Sequence, residues 1–302
     1  MSKLVLLKEA RELLKKHDIS GPRLREAIPY INAFSGKRFV LKIGGSVLND
    51  LTLLPPLIDD VVFLKKVGVS VVLVHGGSRQ LNDAMRSRNL HIESKKGLRV
   101  TSAEVLELAA KVFGEISLQI KAEIEKHGYG CVIFGRESGL VKAKQMDVAL
   151  GLGFVGTPET VEVSFLNSLA DNIVPVVSAV TAGTNPGDMG FNVNADDVAG
   201  IIASAIGAEK LILMTDVDGV LDANGNLLPS LTVNQAEMLI KNKVIQGGMI
   251  PKVRVCLETL KNGAKKCHII RGGEHSFIDE ILTDEGVGTE FVRDDLVNES
   301  AI

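Results

Sequence analysis

Three observations predict an α/β fold with an open, mainly parallel central sheet. Short apolar runs rich in β-branched residues recur along the chain, as is typical of buried parallel strands. Helical stretches separate these runs, and strands that alternate with helices imply right-handed crossovers onto one sheet. The 30 glycines among the 302 residues lie between the runs and do not cluster in low-complexity tracts.

Six strands and six helices are predicted by these patterns. The strands are predicted at residues 39–41, 69–74, 130–134, 173–177, 211–214 and 268–270. The helices are predicted at residues 53–66, 79–88, 103–127, 196–206, 233–242 and 252–262. Asn224-Gly225 between two apolar pairs predicts a hairpin turn, and a second hairpin is predicted around residues 151–163.

The chain is expected to comprise a helical extension and two lobes. Residues 1–35 form the extension, whose apolar stripe at helical spacing consists of Leu6, Leu7, Ala10, Leu13 and Leu14. This stripe either packs on the chain's own core or is shared between subunits. An aperiodic segment at 181–190 separates an N-terminal lobe at 36–185 from a C-terminal lobe at 186–302.

Composition and charge exclude several classes of protein. The formal net charge is −3 and the chain has two Tyr and no Trp, so we expect neither nucleic-acid nor anionic-membrane binding. Three cysteines without a CxxC spacing predict neither disulfides nor zinc, and they favour a cytoplasmic location. No apolar run approaches the ~20 residues of a membrane span.

Two glycine pairs follow neighbouring predicted strands. They are Lys42-Ile43-Gly44-Gly45-Ser46 and His75-Gly76-Gly77-Ser78, and a third pair, Gly247-Gly248, precedes Lys252. Backbone N–H groups of such loops bind anions, and ligands of open α/β sheets bind at the carboxyl edge. Two pairs side by side indicate two anionic ligands. Taken alone, the first pair is also explained by a tight turn beside a solvated lysine.

Other signatures of phosphate or metal binding are absent or misplaced. The GxGxxG pattern at residues 151–156 is followed by Pro158 and β-prone residues, so we interpret it as a turn. The chain has no GxxxxGK[ST] loop and no HRD or DFG sequence. In Asp216-Val217-Asp218-Gly219 the glycine comes too early for a calcium loop, and no Glu closes it.

Six motifs occur in a recognisable order within residues 26–293. They are Lys42-Ile43-Gly44-Gly45, His75-Gly76-Gly77, Gly97-Leu98-Arg99-Val100-Thr101, Asn192-Val193-Asn194-Ala195-Asp196, Leu213-Met214-Thr215-Asp216-Val217-Asp218-Gly219-Val220 and Gly247-Gly248-Met249-Ile250-Pro251-Lys252. In order and spacing the chain resembles the amino acid kinase family, in the branch that acts on N-acetyl-L-glutamate. Six ordered motifs are far more specific than any one of them.

The resemblance implies an α/β/α sandwich that transfers the γ-phosphoryl group of ATP to the γ-carboxylate of N-acetyl-L-glutamate, in arginine biosynthesis. The N-terminal lobe would bind the acyl amino acid and form a dimer, and the C-terminal lobe would bind ATP. Arg99 would hold the α-carboxylate, since its guanidinium suits bidentate pairing. Gly76, Gly77 and Asn192 would contact the same ligand. The implied nucleotide-side residues are Gly44, Gly45, Asp216, Asp218, Gly248 and Met249.

The resemblance assigns three charged residues to the transfer itself. Lys42 would neutralise the transferring phosphoryl group from the substrate side and Lys252 from the nucleotide side. Asp196 would orient both ammonium groups, whereas spacing alone favours Asp196 as the N-cap of the helix predicted there. We expect no dedicated metal site in the protein, because Mg²⁺ would arrive bound to ATP.

The chain departs from the family pattern beside the second glycine pair. Ser78 stands where a third glycine is usual and Arg79 where proline is usual, and a Cβ at residue 78 restricts the loop. The nearest alternative activity is a kinase for a carrier-linked or acylated aminoadipate. A non-catalytic amino-acid sensor is a second alternative. The motif around Arg99 favours acetylglutamate, and a sensor has no need of both lysines.

The N-terminal extension resembles that of arginine-sensitive family members. By this resemblance we expect feedback inhibition by L-arginine in a homohexamer, in preference to a dimer, assembled through the N-terminal helix. Candidate arginine contacts are Tyr30, His268 and Glu285, which supply polar and acidic groups. The alternative is that these three are ordinary surface residues. The resemblance leaves open whether a PII nitrogen-signalling protein binds.

Overall fold

The computed structural model describes residues 21–95, 97–283 and 286–295. The predicted stripe from Leu6 to Leu14 and the candidate residue Glu285 lie outside the described residues. The helices are α1 (Gly21–Phe34), α2 (Gly45–Asn49), α3 (Leu54–Lys66), α4 (Ser78–Ser87), α5 (Ala103–Lys126), α6 (Val163–Asn167), α7 (Ala195–Ala205), α8 (Val233–Lys241), α9 (Met249–Lys261) and α10 (Ser276–Leu282). The strands are β1 (Arg38–Ile43), β2 (Ser70–His75), β3 (Ser94–Lys95), β4 (Leu98–Arg99), β5 (Gly130–Phe134), β6 (Val141–Gln145), β7 (Gly156–Val161), β8 (Ile173–Ser178), β9 (Val180–Gly183), β10 (Phe191–Asn192), β11 (Lys210–Thr215), β12 (Ser230–Thr232), β13 (Lys266–Arg271) and β14 (Thr289–Val292).

Eight strands form one open sheet in the order β12-β14-β13-β11-β1-β2-β8-β5. Neighbouring strands are parallel except for the antiparallel pair β13 and β14. In the middle of the sheet, Phe39 of β1 lies opposite Lys210 of β11 and Val71 of β2. Helix α5 packs on β5 and β8, and α7 and α9 pack on β1, β11 and β13. The predicted open, mainly parallel sheet is confirmed.

All six predicted strands and all six predicted helices are present, with ends that differ by at most three residues. The largest difference is at α9, which begins at Met249 although Pro251 follows. Proline is tolerated there because the N–H groups of a first turn have no partner within the helix. Helix α5 begins where predicted because the side chain of Ser102 caps it, accepting from the N–H of Val105.

A smaller sheet has the order β10-β9-β6-β7. Strands β6 and β7 are antiparallel and form the second predicted hairpin, with residues 146–155 as their connection. The GxGxxG pattern at 151–156 lies in that connection and leads into β7, so its interpretation as a turn is confirmed. The Asn-Gly turn is confirmed as well, since Leu221 and Leu227 pair across it.

The sheet brings distant loops to one edge. Because β2, β1 and β11 are parallel neighbours, their carboxyl ends lie side by side. Strand β1 leads through Gly44 into α2, and β2 leads through Gly76 and Gly77 into α4. Every residue of β11 is buried, which explains why this strand is a continuous apolar run and not an alternating one. Open α/β sheets bind ligands at this edge.

Candidate active site

A cleft of about 660 Å³ opens at the edge of the sheet where β1 and β2 end. Both glycine pairs contribute to its lining, through Gly45, Gly76 and Gly77, and Gly248 contributes from the start of α9. The charged residues of the lining are Lys42, Arg79, Glu93, Arg99, Asp196 and Lys252. Four cations against two anions suit the cleft to an anionic ligand.

Lys42, Asp196 and Lys252 meet in this cleft, and we call them the Asp196 cluster. The Nζ of Lys42 lies 2.9 Å from Oδ1 of Asp196, and the Nζ of Lys252 donates to Oδ2 at 2.7 Å. Lys42 comes from β1, while Asp196 and Lys252 stand in the first turns of α7 and α9. The side chain of Lys42 is only 12% exposed, so the alternative of a solvated lysine is wrong.

The electrostatics of the Asp196 cluster leave an excess of positive charge. Burial alone would raise the pKa of Asp196, but the ammonium groups of Lys42 and Lys252 outweigh it and lower the pKa to about 2. The carboxylate is therefore ionised at neutral pH. Two cations on one anion leave a net charge of about +1 beside the cleft, where a bound anion would be stabilised.

Asn194, and not Asp196, caps α7. The side chain of Asn194 accepts a hydrogen bond from the N–H of Asp196 at 3.0 Å. The alternative in which Asp196 serves only as a helix cap is therefore wrong. Its carboxylate instead holds two lysines from other elements, at a helix start where the dipole favours negative charge.

In each of the first two glycine pairs, one glycine is required for a steric reason. A Cβ on Gly44 would lie 2.3 Å from the carbonyl oxygen of Met214, so a side chain would push β1 away from β11. A Cβ on Gly77 would lie 2.6 Å from Ile116 and 2.8 Å from Phe113, both on α5. Gly44 is itself not part of the cleft lining, whereas Gly45, which follows it, is.

The predicted substrate-side residues converge on the same cleft. Arg99 lies along α4, where its Nη2 donates to the carbonyl of Ser78 at 3.1 Å and its Nη1 contacts Sδ of Met85 at 3.3 Å. A guanidinium has five N–H donors, so others remain for a ligand. Burial lowers the pKa of Arg99. Asn192 lines the cleft from β10, with its Nδ2 donating to Oγ1 of Thr101 at 3.2 Å.

His75 supports the second glycine pair, a role that the sequence analysis missed. Its ring is fully buried, with Nδ1 donating to the carbonyl of Gly76 at 2.8 Å and Nε2 accepting from the hydroxyl of Ser117 at 2.7 Å. Burial lowers the pKa of His75 to about 4, so the ring is neutral at pH 7. The motif singled out His75, but only the distant residue Ser117 shows what it does.

Four of the predicted nucleotide-side residues are not in the cleft lining: Gly44, Asp216, Asp218 and Met249. Asp216 and Asp218 follow β11 at the same edge of the sheet and are exposed. Asp218 accepts from the guanidinium of Arg271. Met249 is the first residue of α9, directly after Gly248.

Tyr30 and His268, two of the predicted arginine contacts, are connected through Phe34 and Lys210. Tyr30 lies 6.1 Å from Phe34 between ring centroids, and the Nζ of Lys210 lies 5.3 Å from the Phe34 centroid. Lys210 donates to Nε2 of His268 at 3.0 Å. We call Lys210, His268, Glu280 and Glu290 the Lys210 cluster. His268 is 2% exposed, so the alternative of an ordinary surface residue is wrong for His268.

The described part of the chain has neither a metal-binding cluster nor a helix that could span a membrane. No group of three or more His, Cys, Asp or Glu side chains there could hold a metal ion. No helix there has the length and apolar character that crossing a membrane requires. Cys131, Cys256 and Cys267 are free thiols.

Comparison with known proteins gives close and consistent matches. The chain matches the amino acid kinase family over residues 37–271. It is 39% identical to the acetylglutamate kinase of Pelobacter propionicus over 284 residues, which cover 89% of this chain and 97% of that protein. It is 40% identical to the acetylglutamate kinase of Nostoc sp. (strain PCC 7120) over 273 residues, which cover 88% of this chain and 91% of the relative.

Solved structures share the fold. The N-acetylglutamate synthase of Neisseria gonorrhoeae, complexed with coenzyme A and N-acetyl-glutamate, has a TM-score of 0.82 at 22% identity over 90% of this chain. This chain spans 63% of the length of that synthase. The carbamate kinase of Giardia lamblia, bound to AMP-PNP, has a TM-score of 0.66 at 16% identity and is covered over 99% of its length. At these identities the likeness shows the fold alone.

Proposed function

The chain belongs to the amino acid kinase family, and we infer that it acts there as an acetylglutamate kinase, with ATP as phosphoryl donor and the γ-carboxylate of N-acetyl-L-glutamate as acceptor. The product is N-acetyl-L-glutamyl 5-phosphate, and the reaction is the second step of arginine biosynthesis by the acetylated route. The observation that carries the proposal is the Asp196 cluster, with its two lysines on one buried carboxylate in a cleft that both glycine pairs line.

The acyl amino acid is proposed to bind on the side of the cleft formed by β4 and β10. The guanidinium of Arg99 holds the α-carboxylate, because two parallel N–H groups match two carboxylate oxygens. The side chain of Asn192 adds a further donor, and the loop at Gly76 and Gly77 contacts the ligand through its backbone. The γ-carboxylate is then free to reach the Asp196 cluster.

Phosphoryl transfer of this kind is proposed to proceed by direct attack of the γ-carboxylate on the γ-phosphorus of ATP, with ADP leaving. The transition state spreads negative charge over the oxygens of the transferring group. Lys42 neutralises this charge from the substrate side and Lys252 from the nucleotide side. Asp196 holds both ammonium groups in place, so that little reorganisation is needed when the charge develops.

The nucleotide is proposed to bind beside Gly45, Gly248, Met249 and the segment after β11 that carries Asp216 and Asp218. Among the described residues, the carboxylates of the cleft lining are Glu93 and Asp196, and both oxygens of Asp196 face lysines. This donor set does not suit a resident Mg²⁺, which prefers several waters and phosphate oxygens. Mg²⁺ would therefore be carried by ATP, and it would offset the charge of the phosphates there.

A coupled assay for ADP release tests the proposed activity. We expect turnover with N-acetyl-L-glutamate and Mg·ATP, and little with an acylated aminoadipate, aspartate, carbamate or UMP. Turnover with one of those acceptors in place of N-acetyl-L-glutamate would move the activity elsewhere in the family. Isothermal titration distinguishes a kinase from a non-catalytic amino-acid sensor. Binding of an amino acid without affinity for Mg·ATP would contradict a kinase.

Regulation by L-arginine in a homohexamer is the second part of the proposal. Its structural support is the series of contacts from Tyr30 on α1 through Phe34 to Lys210 and His268. Both ring nitrogens of His268 are occupied, so its influence on a ligand would pass through Lys210 or Glu280. A ligand bound there would act by favouring one arrangement of α1 over another. We also place the enzyme in the cytoplasm, which its free thiols support.

Removal of residues 1–25 tests the regulatory proposal. We expect an active enzyme that sediments as a dimer and is not inhibited by arginine, whereas the full chain sediments as a hexamer and is inhibited. A full-length chain that is already a dimer, or that millimolar arginine does not inhibit, would contradict the proposal. A thermal-shift comparison of arginine with lysine controls for general cation effects, because only a ligand of the folded state raises Tm.

A further inference from the structure

Thr101 is a buried residue next to Arg99 and Asn192, the two side chains proposed to bind the acyl amino acid. It has no role in the phosphoryl transfer proposed above. It is 0% exposed and follows Arg99 by two positions. Its backbone is bonded on both sides to the loop before β7: its N–H donates to the carbonyl of Leu152 at 2.9 Å, and its carbonyl accepts from the N–H of Phe154 at 2.7 Å. The backbone of Thr101 is thus fixed without any help from its side chain.

The hydroxyl of Thr101 makes two further hydrogen bonds. It donates to the carbonyl of Arg99 at 3.0 Å and accepts from Nδ2 of Asn192 at 3.2 Å. A hydroxyl has one proton and a carbonyl can only accept, so the proton is committed to Arg99 and the oxygen is left to accept. Turning the amide of Asn192 by 180° would place two acceptors against each other.

This arrangement fixes the amide of Asn192 in one orientation. One Nδ2 proton is held by Thr101, and the second Nδ2 proton and Oδ1 are left for other partners. The backbone N–H of Asn192 donates to the carbonyl of Phe154 at 2.9 Å, so the strand stays in place independently of the hydroxyl. The hydroxyl therefore controls the side-chain amide and not the course of the chain.

We propose that Thr101 is a positioning residue for the acyl amino acid: with its proton held by the carbonyl of Arg99, its hydroxyl fixes the Asn192 amide so that an N–H group of Asn192 points to the carboxylate that the Arg99 guanidinium binds. This inference rests on the proposed function. Without the hydroxyl, the Asn192 amide is free to turn and to present its oxygen to the carboxylate, which repels it. The nucleotide is proposed to bind beside Gly45 and Gly248, away from Thr101, so we expect the effect to be confined to the acceptor.

The test compares Thr101→Val with Thr101→Ser and with a matched control elsewhere in the core. Valine keeps the shape of threonine and removes the hydroxyl, and serine keeps the hydroxyl. Thr289 is the control: it is also 0% exposed, and its hydroxyl donates to the carbonyl of Leu228 at 2.7 Å and accepts from the N–H of Val220 at 2.8 Å. Thr289 is not part of the cleft lining.

For Thr101→Val we expect the KM for N-acetyl-L-glutamate to rise on the order of 10-fold or more, as for a buried polar group that loses its partner. The KM for ATP should change little. Thr101→Ser should have the wild-type KM for the acyl amino acid. Thr289→Val should lower Tm and leave that KM unchanged. An unchanged KM in Thr101→Val, or an equal rise in Thr289→Val, would overturn the proposal.

Two further measurements separate this inference from the proposed function. The double variant Asn192→Ala with Thr101→Val should have a KM for N-acetyl-L-glutamate no higher than that of Asn192→Ala alone, because Thr101 acts through that amide. In ¹⁵N spectra, a side-chain N–H of Asn192 should exchange slowly in the wild-type protein and in Thr101→Ser but rapidly in Thr101→Val. Lack of turnover with N-acetyl-L-glutamate would refute the proposed function, whereas rapid exchange in the wild type would refute the role of Thr101.

Discussion

The Asp196 cluster and the Lys210 cluster are both buried groups of charged residues, and they differ in what their side chains face. In the Asp196 cluster, two lysines contact one carboxylate and also line a cleft. In the Lys210 cluster, Glu280 accepts from Nδ1 of His268 and from the N–H groups of Val287 and Gly288. One cluster has an excess of positive charge beside open space, whereas in the other the carboxylate of Glu280 is paired with three donors.

The two clusters also differ in how burial acts on their ionisable groups. The lysines lower the pKa of Asp196 to about 2 in spite of burial. In the other cluster burial dominates for Lys210 and lowers the pKa of its ammonium group to about 8, whereas His268 and other hydrogen-bonding or charged neighbours lower the pKa of Glu280 and Glu290 in spite of burial. Excess charge that is kept ionised next to a cleft is typical of a site that stabilises an anionic transition state. A cluster without that excess contributes to the fold and to contacts with α1.

The largest effect is expected from removal of one ammonium group of the Asp196 cluster. Lys42→Met or Lys252→Met should lower kcat on the order of 10²-fold or more, because charge is removed mainly from the transition state. Circular dichroism should show a folded protein. Lys111→Met is the control, since the side chain of Lys111 is exposed on α5 and does not line the cleft, and its kcat should change little. Near-normal kcat in either lysine variant would refute the role of that lysine.

A smaller effect, on stability in place of turnover, is expected in the Lys210 cluster. Glu280→Gln puts an amide where one carboxylate accepts from His268 and from two backbone N–H groups, so one buried donor loses its partner. We expect the free energy of unfolding to fall by about 2 kcal/mol, with kcat unchanged. Urea unfolding measures the first and the coupled assay the second. A loss of kcat similar to that of the lysine variants would erase the contrast between the clusters.

Sequence reasoning anticipated the elements and the members of the Asp196 cluster for different reasons. The elements follow from apolar periodicity, which is a local property. The predicted ends are therefore close to the observed ones, and the largest error is three residues, at the start of α9. Lys42, Asp196 and Lys252 were assigned by resemblance, and spacing alone favoured a helix cap at residue 196. The cap is Asn194, two residues earlier, and both residue types cap helices well.

The residues that sequence reasoning missed act across long distances in the chain. Ser117 contacts His75 from α5, and Thr101 contacts Asn192 across 91 positions. Hydroxyl groups on a helix and beside a strand have no spacing that distinguishes a positioning role from packing. Only the tertiary contacts supply that information. The same holds for His268, which lies in a strand predicted to be buried but whose contacts with Lys210 and Glu280 the sequence did not reveal.

Acidification should separate the two regions further, because His75 is buried as a neutral ring beside the cleft. Burial lowers the pKa of His75 to about 4 from 6.5, so between these values the unfolded chain binds a proton that the native state does not. Its contribution to stability is full above pH 6.5 and is lost as the pH falls towards 4. Between pH 7 and pH 5 the loss is about 2 kcal/mol.

Comparison of the wild type with His75→Asn isolates this contribution. His268, whose pKa burial also lowers, destabilises in the same direction on acidification. Asp60, whose pKa burial raises to about 6, acts in the opposite direction. Both are present in each protein, so the difference between the two urea-unfolding curves reports His75 alone. A difference that does not shrink between pH 7 and pH 5 would contradict a neutral buried ring.

The smallest effect is expected at Asp218, an exposed carboxylate that contrasts with Asp196. Asp218→Asn should leave Tm unchanged, because its ion pair with Arg271 lies at the surface, where water screens it. Its proposed role is on the nucleotide side: it follows β11 at the edge where the cleft opens, and a carboxylate there can accept from the hydroxyl groups of a ribose. We therefore expect a several-fold rise in the KM for ATP and no change for N-acetyl-L-glutamate. Asp222→Asn is the control, since the hydrogen bonds of Asp222 are also exposed but hold only its own turn, through Asn224 and Asn226. An equal effect of both variants, or none at Asp218, would remove Asp218 from the nucleotide site and leave Asp196 as the aspartate on which phosphoryl transfer depends.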